Sequence, residues 1–178
     1  IMSQKNNNLF TIIIIGGSQG AKIFDELLNK SFVNIAKQVS IKIIHQTSEK
    51  NINFLKNFYS QNNIESRVFS FDHNLNEVLK QGDLCITRAG ASSLAELSLL
   101  NIPFVAIPLP SSKDNHQYEN AKYYKEQDCC WIIDQKNFDD KKFEKFLLEL
   151  TNKSQDYMTK KNNLKKLNYQ NTWNNVNQ

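Results

Sequence analysis

Residues 9–21 read Leu-Phe-Thr-Ile-Ile-Ile-Ile-Gly-Gly-Ser-Gln-Gly-Ala, an apolar run that ends in a glycine loop. Only Thr11 interrupts the apolar run, and β-branched residues dominate it, which is typical of a central parallel strand covered on both faces. The small and polar residues 16–21 are followed by apolar residues at helical spacing. This order of strand, glycine loop and helix predicts the first unit of an α/β fold.

The same alternation of strand and helix continues through most of the chain. Strands are predicted at residues 9–15, 41–44, 67–71, 83–87, 103–107 and 130–133. Helices are predicted at residues 23–35, 52–59, 75–79, 94–100, 116–125, 138–150 and 157–167. Six successive βα units predict a doubly wound, six-stranded parallel sheet of the Rossmann-like α/β class. We expect residues 1–150 to form this ligand-binding domain and residues 151–178 to form a basic C-terminal helical tail, either exposed or frayed.

Composition limits the class of protein. The 178 residues, 40% of them hydrophobic, fit one domain with its own core, and the net charge of +4 does not favour nucleic acid as a partner. The three cysteines match neither a CxxC redox site nor the spacing of zinc ligands, which predicts a reduced, cytosolic setting. Residues 9–15 are too short for a bilayer span of about 20 residues, and a buried first strand explains them better than a signal peptide.

Three loops indicate an anion site. The glycine loop, residues 88–93 and residues 110–117 each lie between a predicted strand and a predicted helix, so three helix N-termini are expected at one edge of the sheet. Exposed N–H groups there favour a phosphate. The glycine loop matches neither GxGxxG nor GxxxxGK[ST], and His45-Gln46-Thr47 stands where a dinucleotide-binding chain carries an acidic residue. The alternative interpretation is a plain tight turn.

Several polar residues near these loops have two interpretations each. Glu96 either completes a capping box with Ser93 or accepts hydrogen bonds from the two hydroxyls of a ribose. Gln117 and Asn120 share one helical face and suit the polar edges of a sugar. His116 has three interpretations: a general base, a phosphate ligand or an ordinary polar surface residue. Phe71, at the predicted end of a strand, and Leu75 either lie beside a nucleobase or belong to the core.

Three linked motifs carry a family resemblance. GGSQGA at residues 16–21, RAGASSLAE at 88–96 and PLPSSKDNHQYENA at 108–121 together resemble the MurG family. These are inverting glycosyltransferases that transfer N-acetylglucosamine from UDP to undecaprenyl-diphospho-muramoyl-pentapeptide. The resemblance implies the donor-binding C-terminal half of a two-domain GT-B enzyme, with no metal and no other cofactor.

The resemblance also implies roles for individual residues. The diphosphate is expected at Gly17, Ser18 and Gln19, and the uracil at the backbone of Asp72 beside Phe71 and Leu75. Phosphate is also expected at Ala91, Ser92, Ser93 and Leu94, and Arg88 is expected to bind the donor as well. Glu96 is expected to bind the ribose, and His116, Gln117 and Asn120 the N-acetylglucosamine. Two positions depart from the family pattern, since Asp72 stands where an aliphatic residue is frequent and Ser48 where glycine is often found.

The function expected from the resemblance is donor binding for the synthesis of lipid II from lipid I. The family's glycine-rich N-terminal loops, and the histidine there thought to act as base or to bind the acceptor diphosphate, have no counterpart in this sequence. The chain alone is therefore expected to be inactive, and no catalytic residue is assigned. Its expected partners are UDP-N-acetylglucosamine, the lipid-linked acceptor, and peripherally the cytoplasmic face of the bacterial inner membrane. The alternatives are one catalytic half of a two-subunit lipid-linked transferase, or a UDP-sugar-binding module without turnover.

Overall fold

A computed structural model describes residues 9–16 and 22–176, and the side chains of residues 9–16 and 23–171. Strands and helices alternate along the chain, as the sequence predicts. The strands are β1 Phe10–Ile15, β2 Ile41–Gln46, β3 Glu65–Phe69, β4 Leu84–Thr87, β5 Phe104–Ala106 and β6 Cys130–Ile132. The helices are α1 Lys22–Leu27, α2 Asn29–Ala36, α3 Ile52–Gln61, α4 Leu75–Leu79, α5 Ala91–Leu99, α6 His116–Glu126, α7 Asp140–Thr151 and α8 Gln155–Val176.

The six strands form one parallel sheet in the order β3-β2-β1-β4-β5-β6. In the register, Ile12 lies between Ile43 of β2 and Leu84 of β4. The chain runs outward from β1 in one direction through β3, then returns to the other side of β1 and continues outward to β6. The strand order therefore reverses between β1 and β4, and ligands of open α/β sheets bind beyond the carboxyl ends of the strands at such a point.

The alternation of side chains along β1 supplies both halves of the core. Ile12 and Ile14 pack on one face with side chains of α2, α3 and α7, whereas Ile13 and Ile15 pack on the other with side chains of α4, α5 and α8. All six residues of β1 are buried. A continuously apolar strand is required here because helices cover both faces of the sheet.

Two boundaries differ from the sequence prediction. The predicted helix over 23–35 is two helices, α1 and α2. The Asn29 side chain donates through Nδ2 to the Asp25 carbonyl, which in a continuous helix would accept from the Asn29 backbone amide. The third strand ends at Phe69, where it pairs with Gln46, so the prediction that Phe71 ends this strand is wrong.

The C-terminal helix α8 packs across the amino ends of three strands. Tyr157 Oη donates to the Asp83 carbonyl before β4 at 2.8 Å, and Asn168 Nδ2 lies 2.8 Å from Asn101 Oδ1 before β5. Lys160 Nζ lies 2.5 Å from Asp128 Oδ1 before β6 and 2.9 Å from Asp156 Oδ1. Helix α8 thus lies at the edge opposite the strand ends that carry the motifs. No helix in the described ranges combines the length and hydrophobicity needed to cross a bilayer.

Candidate functional site

The described part of the site is built from the segments that follow β4 and β5, two adjacent strands of which β4 lies beside β1 in the sheet. Residues 88–90 join β4 to α5, and residues 107–115 join β5 to α6. The predicted donor ligands Gly17, Ser18 and Gln19 lie outside the described residues, so their roles stay predictions. The structure brings the other two motifs to one edge, at the reversal of strand order.

Helix α5 presents its N-terminus at this edge. Gly90 is the N-cap in an extended conformation, with φ −67° and ψ 136°, and it makes no side-chain cap. The Leu94 amide donates to the Gly90 carbonyl at 3.1 Å, so Ala91, Ser92 and Ser93 form the first turn. The N–H groups of a first turn have no partner within their own helix. Because Ala91 and Ser92 are exposed, this turn is open to an anion.

The start of α5 decides between the two interpretations of Glu96. A capping box would require Ser93 to be the N-cap, but the helix begins at Ala91 and its N-cap is Gly90. The capping-box interpretation is therefore wrong, and Glu96 lies in the second turn. Its side chain is half-buried and makes no hydrogen bond or ion pair with any described residue. A half-buried carboxylate without a protein partner has acceptors left for a ligand.

The amides of α6 have protein partners that the sequence did not reveal. Gln117 Oε1 accepts from the Leu109 amide at 2.8 Å and from the Ala89 amide at 3.3 Å. Asn120 Nδ2 donates to the Ala89 carbonyl at 3.0 Å. The two amides lie on one helical face, as predicted, and they hold the loop that leads into α5. Gln117 Nε2 and Asn120 Oδ1 remain available for a ligand.

Arg88 connects the ends of β4, β5 and β6. Its Nη1 lies 3.0 Å from the Ile107 carbonyl and 2.7 Å from Gln135 Oε1, and its guanidinium carbon lies 4.9 Å from the centre of the Phe24 ring. All of these partners are neutral. Burial lowers the pKa of the guanidinium, but the ordinary pKa of arginine is so high that the group keeps its charge. Among the side chains that the structure describes, no carboxylate pairs with Arg88.

His116, by contrast, is on the surface. The preceding residues Asp114 and Asn115 both adopt left-handed backbone conformations, with φ of 50° and 57°, and turn the chain into α6. His116 Nε2 lies 3.7 Å from Asp114 Oδ2, and both side chains are more than two-thirds exposed. The structure therefore places His116 at the first turn of α6 without a buried partner that would orient it.

The residues predicted to meet the base lie between β3 and α4. Phe71 is 70% exposed, so the alternative of core packing is wrong for it, whereas Leu75 packs partly against the core. Asp72 Oδ2 lies 2.5 Å from Arg67 Nη2, and Asp72 Oδ1 accepts from the Asn74 amide at 2.8 Å. The Asp72 side chain is therefore occupied by Arg67 of β3 and by the backbone of Asn74.

A buried polar cluster beneath this edge was not predicted. Asp25 of α1 accepts from Thr47 Oγ1 at 2.7 Å and from Asn51 Nδ2 at 2.6 Å. His45 Nε2 lies 3.1 Å from Asp25 Oδ1, and His45 Nδ1 lies 2.8 Å from Tyr59 Oη. The sequence shows polar residues here within a strand and a helix, but no spacing that pairs them.

Among the residues with described side chains, no group of three or more His, Cys, Asp or Glu is placed to hold a metal ion. The three cysteines are free and buried.

Comparison with known proteins agrees with this architecture. The chain is 43% identical over 173 residues to the UDP-N-acetylglucosamine--N-acetylmuramyl-(pentapeptide) pyrophosphoryl-undecaprenol N-acetylglucosamine transferase of Pelagibacter ubique. That match covers 97% of this chain but 49% of the relative. The crystal structure of Acinetobacter baumannii MurG matches 92% of this chain with a TM-score of 0.79 and 25% identity, over 46% of its own length. The chain thus spans about half the length of the relatives it matches.

A more distant structure shares only the fold. The UDP-glucose:anthocyanidin 3-O-glucosyltransferase in complex with UDP matches 89% of this chain, and 35% of its own, with a TM-score of 0.66 and 17% identity. The fold is therefore that of one half of a GT-B glycosyltransferase. The profile of the family described as "Glycosyltransferase family 28 C-terminal domain" matches residues 11–173. The resemblance seen in the three motifs is confirmed, and the chain belongs to the family of glycosyltransferase family 28 C-terminal domains.

Proposed function

We propose that this chain is the donor-binding half of an inverting N-acetylglucosaminyltransferase that makes lipid II from lipid I. The name of the Pelagibacter ubique relative gives both substrates, UDP-N-acetylglucosamine and a lipid-linked muramyl-pentapeptide. Because the chain spans about half of that relative, the acceptor is expected to contact a second half. Residues 1–150 would carry the donor site, and residues 151–178 would brace it from the opposite edge.

One observation carries the proposal, namely that Glu96 and the open first turn belong to the same helix at the reversal of strand order. The first turn of α5 suits a diphosphate, since N–H groups and the helix dipole both favour negative charge there. Glu96 lies five positions after Ala91 in the helix, a rise of about 7.5 Å. This spacing allows one nucleotide to place its diphosphate at the first turn and its ribose hydroxyls at the free carboxylate.

Arg88 would add positive charge to the same site. Its guanidinium faces neutral partners within the protein, so its charge is left to act on a ligand at this edge. A fixed cation beside a helix N-terminus stabilises the diphosphate of the bound donor and of the departing UDP. Arg88 would do so while it holds the ends of β4, β5 and β6 together.

The remaining predicted ligands would divide the donor between them. Gln117 Nε2, Asn120 Oδ1 and His116 would read the N-acetylglucosamine, because these groups in the first two turns of α6 make no hydrogen bond with a described residue. The backbone of Asp72, with Phe71 and Leu75, would meet the uracil. Gly17, Ser18 and Gln19 would complete the diphosphate contacts.

The reaction then needs few groups from this half. The acceptor hydroxyl attacks the anomeric carbon from the face opposite the diphosphate, the bond to UDP breaks, and the configuration inverts. This chain would orient the donor and stabilise the charge that develops on the diphosphate. The proton of the acceptor hydroxyl would pass to a base in the other half, since His116 is exposed and lacks an orienting partner. Because the acceptor is a lipid, we place the reaction at the cytoplasmic face of the inner membrane, with peripheral attachment.

Titration calorimetry with UDP, UDP-N-acetylglucosamine, ADP and uridine tests donor recognition. We expect UDP to bind more tightly than ADP, because the uracil is read beside Phe71, and more tightly than uridine, because the diphosphate supplies charge-assisted contacts. Equal or tighter binding of ADP would overturn the uridine assignment.

Turnover is tested with a soluble lipid-linked muramoyl-pentapeptide analogue. The chain alone should transfer no sugar, and the N-terminal half of the Pelagibacter ubique relative, added fused or in trans, should restore transfer. Efficient turnover by the chain alone that His116→Ala abolishes would make His116 the base and contradict this division of roles.

A further inference from the structure

Helix α1 lies over the reversal of strand order, and two consecutive residues fix it there from opposite sides. It follows β1, which has β2 on one side and β4 on the other. Phe24, 1% exposed, lies under the guanidinium of Arg88 from the β4 side. Asp25, 2% exposed, reaches the end of β2 and the segment that follows it. Successive helical residues point about 100° apart, which lets neighbours contact both sides.

The contacts of Asp25 require its ionised form. Thr47 and Asn51 donate to the carboxylate, and His45 Nε2 lies beside its other oxygen at 3.1 Å. Burial alone would raise the pKa of Asp25, but the close contact with His45 and the hydrogen bonds from Asn51 and Thr47 outweigh burial and lower it. Burial, helped by the charge of Asp25, raises the pKa of Tyr59 far above its usual value, so its hydroxyl keeps the proton.

His45 links this carboxylate to the core, since its Nε2 lies 3.1 Å from Asp25 Oδ1 and its Nδ1 lies 2.8 Å from Tyr59 Oη. Two hydrogen bonds, from Thr47 and Asn51, and the contact with His45 therefore converge from the β2 side on one buried carboxylate of α1. A displacement of α1 would break several charge-assisted contacts at once and leave a buried charge without partners.

We propose that Asp25 is a positioning residue, whose buried carboxylate holds α1, and with it Phe24 beneath the Arg88 guanidinium, in place for the donor diphosphate. This inference rests on the proposed function for its consequence, since the position of Arg88 matters to binding only if a donor lies beside it. The hold on α1 is independent of that function.

The test compares Asp25→Asn with Asp83→Asn, the same chemical change at the opposite edge of the sheet. Asp83 Oδ2 accepts from the Thr11 amide at 2.9 Å, so its substitution also costs stability. Asp25→Asn places an amide N–H₂ among side chains that themselves donate hydrogen bonds. Thr47→Val removes only one of those donors, and it serves as the milder variant in case Asp25→Asn does not fold. The readouts are hydrogen exchange at the amides of residues 23–29 and the Kd for UDP.

We expect Asp25→Asn to accelerate exchange in α1 and to weaken UDP binding, each by about tenfold or more. Thr47→Val should produce smaller changes of the same kind, and Asp83→Asn should alter neither readout. Unchanged exchange in Asp25→Asn, or equal acceleration of α1 in Asp83→Asn, would overturn the hold on α1. Faster exchange with an unchanged Kd would overturn the link to the donor. If the unmodified chain binds no UDP while α1 responds as expected, the hold on α1 stands and the proposed function fails.

Discussion

Asn120 holds the backbone of Ala89, since its Nδ2 donates to the Ala89 carbonyl at 3.0 Å while Gln117 Oε1 lies 3.3 Å from the Ala89 amide. Both backbone polar groups of Ala89, its amide and its carbonyl, are thus hydrogen-bonded by side chains that lie one turn apart on α6. Gly90, the next residue, is the N-cap of α5. Residues predicted to read the sugar therefore also set the position of the helix proposed to bind the diphosphate.

Asn120→Ala should weaken UDP as well as UDP-N-acetylglucosamine. Loss of the bond to Ala89 loosens the entry to α5, so even a ligand without the sugar should lose about 0.5–1.5 kcal/mol of binding free energy. Calorimetry with both ligands measures this. His116→Ala is the matched control, because exposed His116 has no bond to this loop and should weaken only UDP-N-acetylglucosamine. Normal UDP binding by Asn120→Ala would assign the residue to the sugar alone.

Glu96→Gln should weaken UDP with little effect on the melting temperature. Because Glu96 lies in the second turn, its substitution removes no helix cap. It does remove the charged acceptor for the ribose hydroxyls, which should cost about 1.5–3 kcal/mol of binding free energy. Glu119→Gln on α6 is the control and should change neither quantity, because this exposed carboxylate makes no hydrogen bond or ion pair with a described residue. A Glu96→Gln protein that melts earlier but binds UDP normally would return Glu96 to a structural role.

Gly82→Ala should destabilise the fold, and Gly90→Ala should not. A Cβ on Gly82 would lie 2.5 Å from Ile13 Cδ1, and Ile13 is fully buried, so the core must shift at a cost of about 1–3 kcal/mol. At Gly90 the nearest atom, Ser93 Oγ, is 3.9 Å away and φ is −67°, which any residue adopts. Urea unfolding gives both free energies. Equal losses would show that Ile13 moves aside freely.

Lys160→Met should cost about 1.5–3 kcal/mol of unfolding free energy at neutral pH, through the lost bonds to Asp128 and Asp156. Burial alone would lower the pKa of Lys160, but those two carboxylates raise it above 10.5 overall. Because the pKa of Lys160 is higher in the folded state than in the unfolded state, its contribution to the free energy of unfolding is complete below the unfolded-state pKa. The contribution is lost as the pH rises through the folded-state pKa. Urea titrations should therefore show a constant difference between the two proteins from neutral pH to about pH 10 and a shrinking one above it. A difference that shrinks on acidification near neutrality would contradict this.

The strands and their order of succession could be predicted because burial on both faces forces long apolar runs, as in β1. Helix ends were less accessible to sequence reasoning. The start of α5 depends on an extended Gly90, and the break before Asn29 depends on one side-chain bond to Asp25. The motifs predicted the sheet edge at which the candidate site lies. The pairing of His45 with Asp25 could not be predicted, because the two residues are 20 positions apart and no periodic sequence pattern connects them. The bond from the Leu109 amide to Gln117 could not be predicted either, because it exists only once the loop before α6 is folded.

The bracing by α8 has a consequence for how such a domain tolerates mutation. Its contacts with Asp83, Asn101 and Asp128 lie at the amino ends of the strands, whereas the ligand groups lie at the carboxyl ends. Substitutions that improve the α8 contacts can therefore offset destabilising changes in the loops without touching the ligand. The donor preference proposed for those loops could therefore change while α8, at the opposite edge, supplies a reserve of stability, and laboratory selection for new sugar donors should begin with a strengthened α8.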